Sequence, residues 1–182
     1  MPRTTTPQRR KQKNYAFIDS QNLNLGVQDL GWKLDFRRFR VYLKEKYSVE
    51  KAYLLIGYIP ENQELYKALQ EYGFVLVFKP ILKNKEGVVK GNVDADLVLQ
   101  AMMDFPEYKK AVIVTNDGDF YSLVAYLYGK NKLEVVLSPN REKCSALLTK
   151  TAKEKIAFMN TLKKKLEYRQ TQIKKHRRGT GP

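Results

Sequence analysis

Residues 111–120 read A-V-I-V-T-N-D-G-D-F, and this stretch constrains the fold more than any other. Four apolar, mostly β-branched residues bounded by turn residues predict a buried strand. The strand runs straight into a tight turn that Gly118 permits and that carries Asp117 and Asp119. In open α/β sheets ligands bind at this end of the strands. Two carboxylates placed there repel each other unless a cation or a proton joins them. Hard cations such as Mg²⁺ take oxygen ligands of this kind. The competing role for Asp119 is a helix cap ahead of Leu123, Val124 and Leu127. A lone Asp favours the cap; D-G-D directly after V-I-V favours the metal.

The rest of the chain repeats the strand-then-helix alternation. Strands are predicted at 15–19, 52–59, 74–78, 112–115 and 133–137. A helix from Asp35 to Lys46 places Phe36, Phe39, Val41 and Leu43 near its apolar face. A helix over 61–72 turns Leu65, Ala68 and Leu69 inward and stops at Gly73. Residues 81–92 read as a hairpin or loop. A helix over 93–105 carries Leu97, Val98, Ala101 and Met102, and another spans 120–128. A long basic helix is expected over 151–175, with Ile156, Met159, Leu162 and Leu166 as its stripe. The pattern predicts an α/β fold with a mostly parallel sheet of about five strands, covered on both faces. Neither G-x-G-x-x-G after the first strand nor G-x-x-x-x-G-K-[ST] occurs, which disfavours dinucleotide and P-loop nucleotide binding.

Charge divides the 182 residues. Residues 1–13 carry +5 and residues 141–182 carry +10, while 14–140 are net neutral. This gives an expected basic arm (1–13, disordered), a body (14–140) and a basic helical extension (141–182, disordered at its end). Basic ends on a neutral body suit a polyanion. The alternative is that lysines merely maintain solubility. Expected contacts are Arg9, Arg10, Lys11, Lys13, Lys163, Lys164, Lys165, Lys174, Lys175, Arg177 and Arg178. One cysteine, Cys144, excludes an internal disulfide, and one histidine, His176, excludes His-rich metal chemistry. No apolar run is long enough to span a membrane, and no apolar segment follows the basic N-terminus. The expected location is cytoplasmic, with no membrane partner.

Other carboxylates fall at comparable positions. Asp19 ends the first strand, and Asp94 begins the helix leading to the fourth. Asp96, two residues on, points elsewhere on a helix. The alternative for Asp94 and Asp96 is helix-dipole stabilisation.

F-I-D-S-Q-N at 17–22, K-G-N-V-D-A-D-L at 90–97 and V-T-N-D-G-D-F at 114–120 occur in this order. On these pieces the chain resembles the NYN domain of the PIN-like nuclease superfamily, in particular its LabA-like members, over roughly 14–140. Ser20-Gln21 and Thr115-Asn116 depart from residues common in the family, but no carboxylate is lost. The resemblance implies a PIN-like three-layer α/β/α sandwich and an acidic pocket of Asp19, Asp94, Asp117 and Asp119 binding Mg²⁺ or Mn²⁺. It further implies ribonuclease activity on RNA, more readily single-stranded. Asn22, Lys90 and Asn116 are the expected substrate-binding residues. For Asn22 a turn or cap role is equally compatible, and Lys90 without the resemblance reads as a solvated loop lysine. Tyr58, Tyr121 and Tyr126 suit base stacking or a place at the rim. The alternative function is RNA binding without catalysis. A phosphatase of another α/β family is disfavoured, because D-S-Q-N, not D-x-D, follows the first strand. A homodimer through the C-terminal helix is compatible with the sequence.

Overall fold

A computed structural model describes residues 13–79, 82–83, 89–90 and 93–169. Its central sheet holds β1 (Asn14–Asp19), β2 (Val49–Gly57), β3 (Phe74–Lys79), β6 (Ala111–Val114), β7 (Leu133–Ser138) and β8 (Ile156–Phe158). The order is β3-β2-β1-β6-β7-β8, with every neighbouring pair parallel. A separate antiparallel pair, β4 (Leu82–Lys83) and β5 (Val89–Lys90), lies within the 81–92 stretch, where a hairpin or loop is expected from the sequence. Helices connect the strands: α1 (Ser20–Asp29), α2 (Phe36–Tyr47), α3 (Gln63–Glu71), α4 (Val93–Met103), α5 (Tyr121–Gly129), α6 (Ala146–Ala152) and α7 (Lys163–Leu166).

Successive strand residues point to opposite faces, and the molecule therefore has two cores. Ile18, Val112 and Val114 join Leu23, Phe39, Leu43 and Leu166 under α1, α2 and α7. Phe17 and Ile113 join Leu97, Phe120, Val124 and Leu148 under α4, α5 and α6. The result is the expected three-layer sandwich. The first three strands wind outward from β1 in one direction, and the last three outward from β6 in the other. The reversal lies between β1 and β6, whose C-terminal ends form the ligand-binding crevice of such sheets. Asp19 ends β1, and the D-G-D turn follows β6.

The structure departs from the sequence expectations in four places. The long helix expected over 151–175 is broken. α6 ends at Ala152, Lys153 takes φ 53°, and β8 adds a sixth strand where about five were expected. Val136 N–H donates to Lys155 O at 2.8 Å, and Ile156, Ala157 and Phe158 pair with Val136, Leu137 and Ser138. An open sheet edge satisfies backbone groups and apolar side chains together, which overrides weak local helix propensity. The basic helix is confined, among the described residues, to Lys163–Leu166. Met159 and Leu166 are nevertheless buried, through a strand, a 3₁₀ turn and this short helix. Val41 and Leu65 face solvent, 48% and 44% exposed, because Tyr42 and Tyr66 take the inward positions. Met102 is likewise exposed, whereas Leu97 and Ala101 are buried. Gly73 ends the third helix as expected, at φ +92°. Among the described residues no helix is long and apolar enough to cross a membrane.

Candidate functional site

Asp19 sits at the junction of β1 and α1 and is 5% exposed. Its carboxylate caps α1 by accepting from Asn22 N–H at 3.1 Å. Burial pushes its pKa above the ordinary carboxylate range. The Asn22 N–H opposes that rise, and the negative charges of Asp94 and Asp117 add to it. Asp94 occupies the first turn of α4 and is also raised, first by burial and then by Asp117 and Asp119, with Lys79 opposing. Asp117 leaves β6 through Thr115, whose Oγ1 accepts its N–H at 3.0 Å. It then caps the 3₁₀ turn Gly118–Phe120 by accepting from Asp119 N–H at 3.0 Å. The alternative role weighed for Asp119, capping the helix that follows, is not filled: α5 begins after Phe120 with no side-chain cap, and Asp117 caps only the 3₁₀ turn before it.

Carboxylate oxygens of Asp94, Asp117 and Asp119 all lie within 4.8 Å of one another. Three residues from two segments thereby offer hard oxygen donors to one point. Asp19 lies outside that triad, yet its carboxylate is close enough to be raised by Asp94 and Asp117. Asp96 faces away, 3.4 Å from the ammonium of Lys79. The phase of α4 is thus the one in which Asp94 looks into the acidic crevice.

A polar scaffold fixes the turn after β6. Asn22 Oδ1 accepts Asn116 N–H at 2.6 Å, tying α1 to that turn. Asn116 is buried, and its Oδ1 accepts from Ser138 Oγ at 2.5 Å and Asn140 N–H at 3.2 Å. Ser145 N–H donates to Asn116 O at 3.0 Å, which brings in the segment before α6. A Cβ at Gly118 would collide with Ser145 Oγ and lie 3.1 Å from Ser145 Cβ, so a larger residue here would displace the Ser145 side chain. Asn22 and Asn116, weighed as substrate-binding residues, spend these atoms on positioning the acidic turn. They still line a cavity of about 580 Å³ with Asp117, Asp119, Lys143 and Leu147.

Lys79 is one of two residues that sequence reasoning missed. It ends β3, is 3% exposed, and its ammonium makes no hydrogen bond of good geometry among the described residues. Asp96, half-exposed, is its ion-pair partner. The signal was present: F-V-L-V-F-K ends an apolar strand in a charge, as F-I-D does at Asp19. Lys143 had no such local signal, because only the fold brings it beside the D-G-D turn.

The remaining expected contacts are dispersed. Lys13 is exposed and lies 3.6 Å from Glu50. Lys163 lies 3.8 Å from Glu167, Lys164 is exposed, and Lys165 sits 5.1 Å above the Tyr42 ring. The backbone of Lys90 lies in β5. Arg9, Arg10, Lys11, Lys174, Lys175, Arg177 and Arg178 lie outside the described residues. Tyr58, Tyr121 and Tyr126 are exposed.

The fold is similar to a crystal structure of a protein of unknown function from Vibrio parahaemolyticus, at TM-score 0.69 and 21% identity. The match covers 84% of this chain and 96% of that one, and at this identity it speaks for the fold alone. A search of curated proteins finds no match. The family model of the NYN domain matches residues 14–160, which takes in the acidic crevice, its polar scaffold and β8. The chain belongs to the NYN domain family, within the PIN-like superfamily.

Proposed function

We propose that this chain is a metal-dependent ribonuclease that hydrolyses phosphodiester bonds of single-stranded RNA. The observation that carries the reading is the convergence of Asp94, Asp117 and Asp119 within 4.8 Å at the sheet's topological switch point. Membership of a nuclease-type family supports it.

The donor set fits Mg²⁺ or Mn²⁺. All candidate ligands are carboxylates, the type these ions prefer, and the cluster includes no histidine or cysteine among the described residues. Asp19 and Asp94 are raised partly because neighbouring negative charge is uncompensated. A divalent cation relieves that repulsion. Asp94, Asp117 and Asp119 would hold it directly, and Asp19 would serve from the end of β1. When bound, such an ion supplies an activated water and charge stabilisation at the phosphate.

The chain's own groups do the rest. The Asn22–Asn116 bond holds Asp117 against the end of β1 and limits reorganisation during reaction. Lys79 braces the first turn of α4 through Asp96, which keeps Asp94 aimed inward. Lys143, at the cavity beside Asp117 and Asp119, offers a positive charge to a phosphate.

The test is labelled single-stranded RNA incubated with Mn²⁺, with Mg²⁺ or with chelator, beside an Asp117→Asn variant. Cleavage should require the metal and disappear in the variant. RNA binding with no cleavage under any metal would leave the chain an RNA-binding protein without catalysis. Full activity in Asp117→Asn would sink the carboxylate assignment.

A further inference from the structure

We infer that a second, basic site binds the phosphate backbone of the RNA strand, in a cleft between α2 and the C-terminal segment. The cleft has a volume of about 490 Å³. Arg37 and Arg38 of α2 line it from one side, and Lys165 and Arg169 from the other, with Tyr42 in its wall. Asp35 is the one carboxylate among the described lining residues. That carboxylate is already committed: it caps α2 by accepting Arg38 N–H at 3.0 Å and lies 3.6 Å from the Arg38 guanidinium. Arg37, Lys165 and Arg169 have no carboxylate within ion-pair distance among the described residues.

Four cations gathered from segments far apart in sequence repel one another. Backbone bonds hold them there regardless. Asp35 N–H donates to Leu166 O at 2.8 Å, and Tyr168 N–H to Lys33 O at 2.8 Å. Leu34 and Glu167 form an antiparallel bridge, and Leu166 is fully buried beneath. The tail is thus docked on the body with its cations at the cleft. Guanidinium forks match phosphate oxygens in pairs, so an anionic phosphate is the chemistry that relieves the repulsion. The cations line the cleft from two sides, which suits successive phosphates of a strand. In sequence the chain continues past Arg169 into further lysines and arginines. The identity of the polyanion as RNA rests on the ribonuclease reading.

The experiment measures binding of a fluorescently labelled single-stranded oligoribonucleotide to the full chain by anisotropy. Chelator is present to prevent cleavage, and salt is varied. Arg37→Gln and Arg169→Gln should each weaken binding and flatten the log–log salt slope by about 0.7 for each phosphate no longer neutralised, and the double variant by about 1.4. Lys67→Gln with Lys109→Gln, exposed lysines outside the cleft, should leave the slope unchanged. Equal flattening by that control pair would overturn the site in favour of diffuse charge. An unchanged slope in the arginine double variant would overturn it outright. So would arginine-dependent binding to phosphatidylserine vesicles without binding to RNA. Chelator separates the two readings. Cleft-dependent binding without Mn²⁺-supported cleavage would remove the ribonuclease reading alone. Cleavage with an unaltered slope would remove the cleft alone.

Discussion

The acidic crevice and the basic cleft are built in opposite ways. The crevice draws its carboxylates from strand ends and a helix start, positions that the parallel sheet brings together at the C-terminal ends of its two central strands. Its geometry is rigid, because caps and the Asn22–Asn116–Ser138 chain of bonds lock the turn. The cleft draws its cations from exposed side chains on α2 and on the docked tail. Only its backbone frame is fixed. Oxygen ligands around one cation must be placed to fractions of an ångström, whereas phosphates are attracted by point charges that tolerate motion. Local net charge therefore says little about function. The body that is neutral overall contributes both the carboxylates and half of the cleft's cations.

The largest expected difference is catalytic. Asp94→Asn should reduce Mn²⁺-dependent cleavage by about 10²-fold or more, since several kcal/mol of charge stabilisation are at stake. Its RNA affinity in chelator should be unchanged or slightly higher. If Asp94→Asn loses affinity as strongly as activity, the two regions are not separable.

Metal binding should mark one region and not the other. Mn²⁺ at about 100 times its Kd should stabilise the wild-type chain by ~2.7 kcal/mol, read as a rise in Tm. That rise should vanish in Asp94→Asn and persist in Arg37→Gln. Equal loss in both variants would place the ion elsewhere.

Asp96 tests the brace beside the acidic crevice. Asp96→Asn leaves the buried Lys79 ammonium without its carboxylate. Because Asp96 is half-exposed, water relieves part of the penalty, and the expected loss is ~1 kcal/mol by chemical denaturation. Activity at saturating metal should largely remain. Abolished activity with unchanged stability would put Asp96, not Asp94, in the crevice.

The smallest effect is on pH dependence. The folded chain holds the protons of Asp19 and Asp94 more tightly than the unfolded chain, because burial and then neighbouring carboxylates raise them. Their contribution to metal-free stability is therefore greatest below the ordinary Asp value of about 3.9, and it falls as pH rises through the raised range. Asp19→Asn should remove part of that fall in chelator-treated protein. Arg37→Gln, in the cleft, should leave it intact. A metal-free stability that instead rises across that range in the wild type, and not in Asp19→Asn, would reverse the sign assigned to the crevice.

Much of the crevice was legible in the sequence. Apolar runs ending in charge marked Asp19 and the D-G-D turn. Helical spacing separated Asp94 from Asp96. These are local signals, set by strand burial and by helix phase. Lys79 carried the same local mark, but its partner in the next helix did not advertise itself. The cleft was not legible, because net charge over a segment averages out the side chains that the fold sorts onto one face.

The amino-acid sequence by itself determined the parallel α/β sandwich, five of the six strands of its central sheet and the carboxylates that follow β1 and β6, because side-chain periodicity and turn chemistry act over a few residues. The tertiary structure alone decided three things: the switch of direction between β1 and β6, the conversion of an apolar helical stripe at 156–166 into β8 and a docked tail, and the meeting of Lys165 and Arg169 with Arg37 and Arg38. Each depends on a distant backbone that offers hydrogen bonds and apolar surface, and no local pattern records where that partner will be.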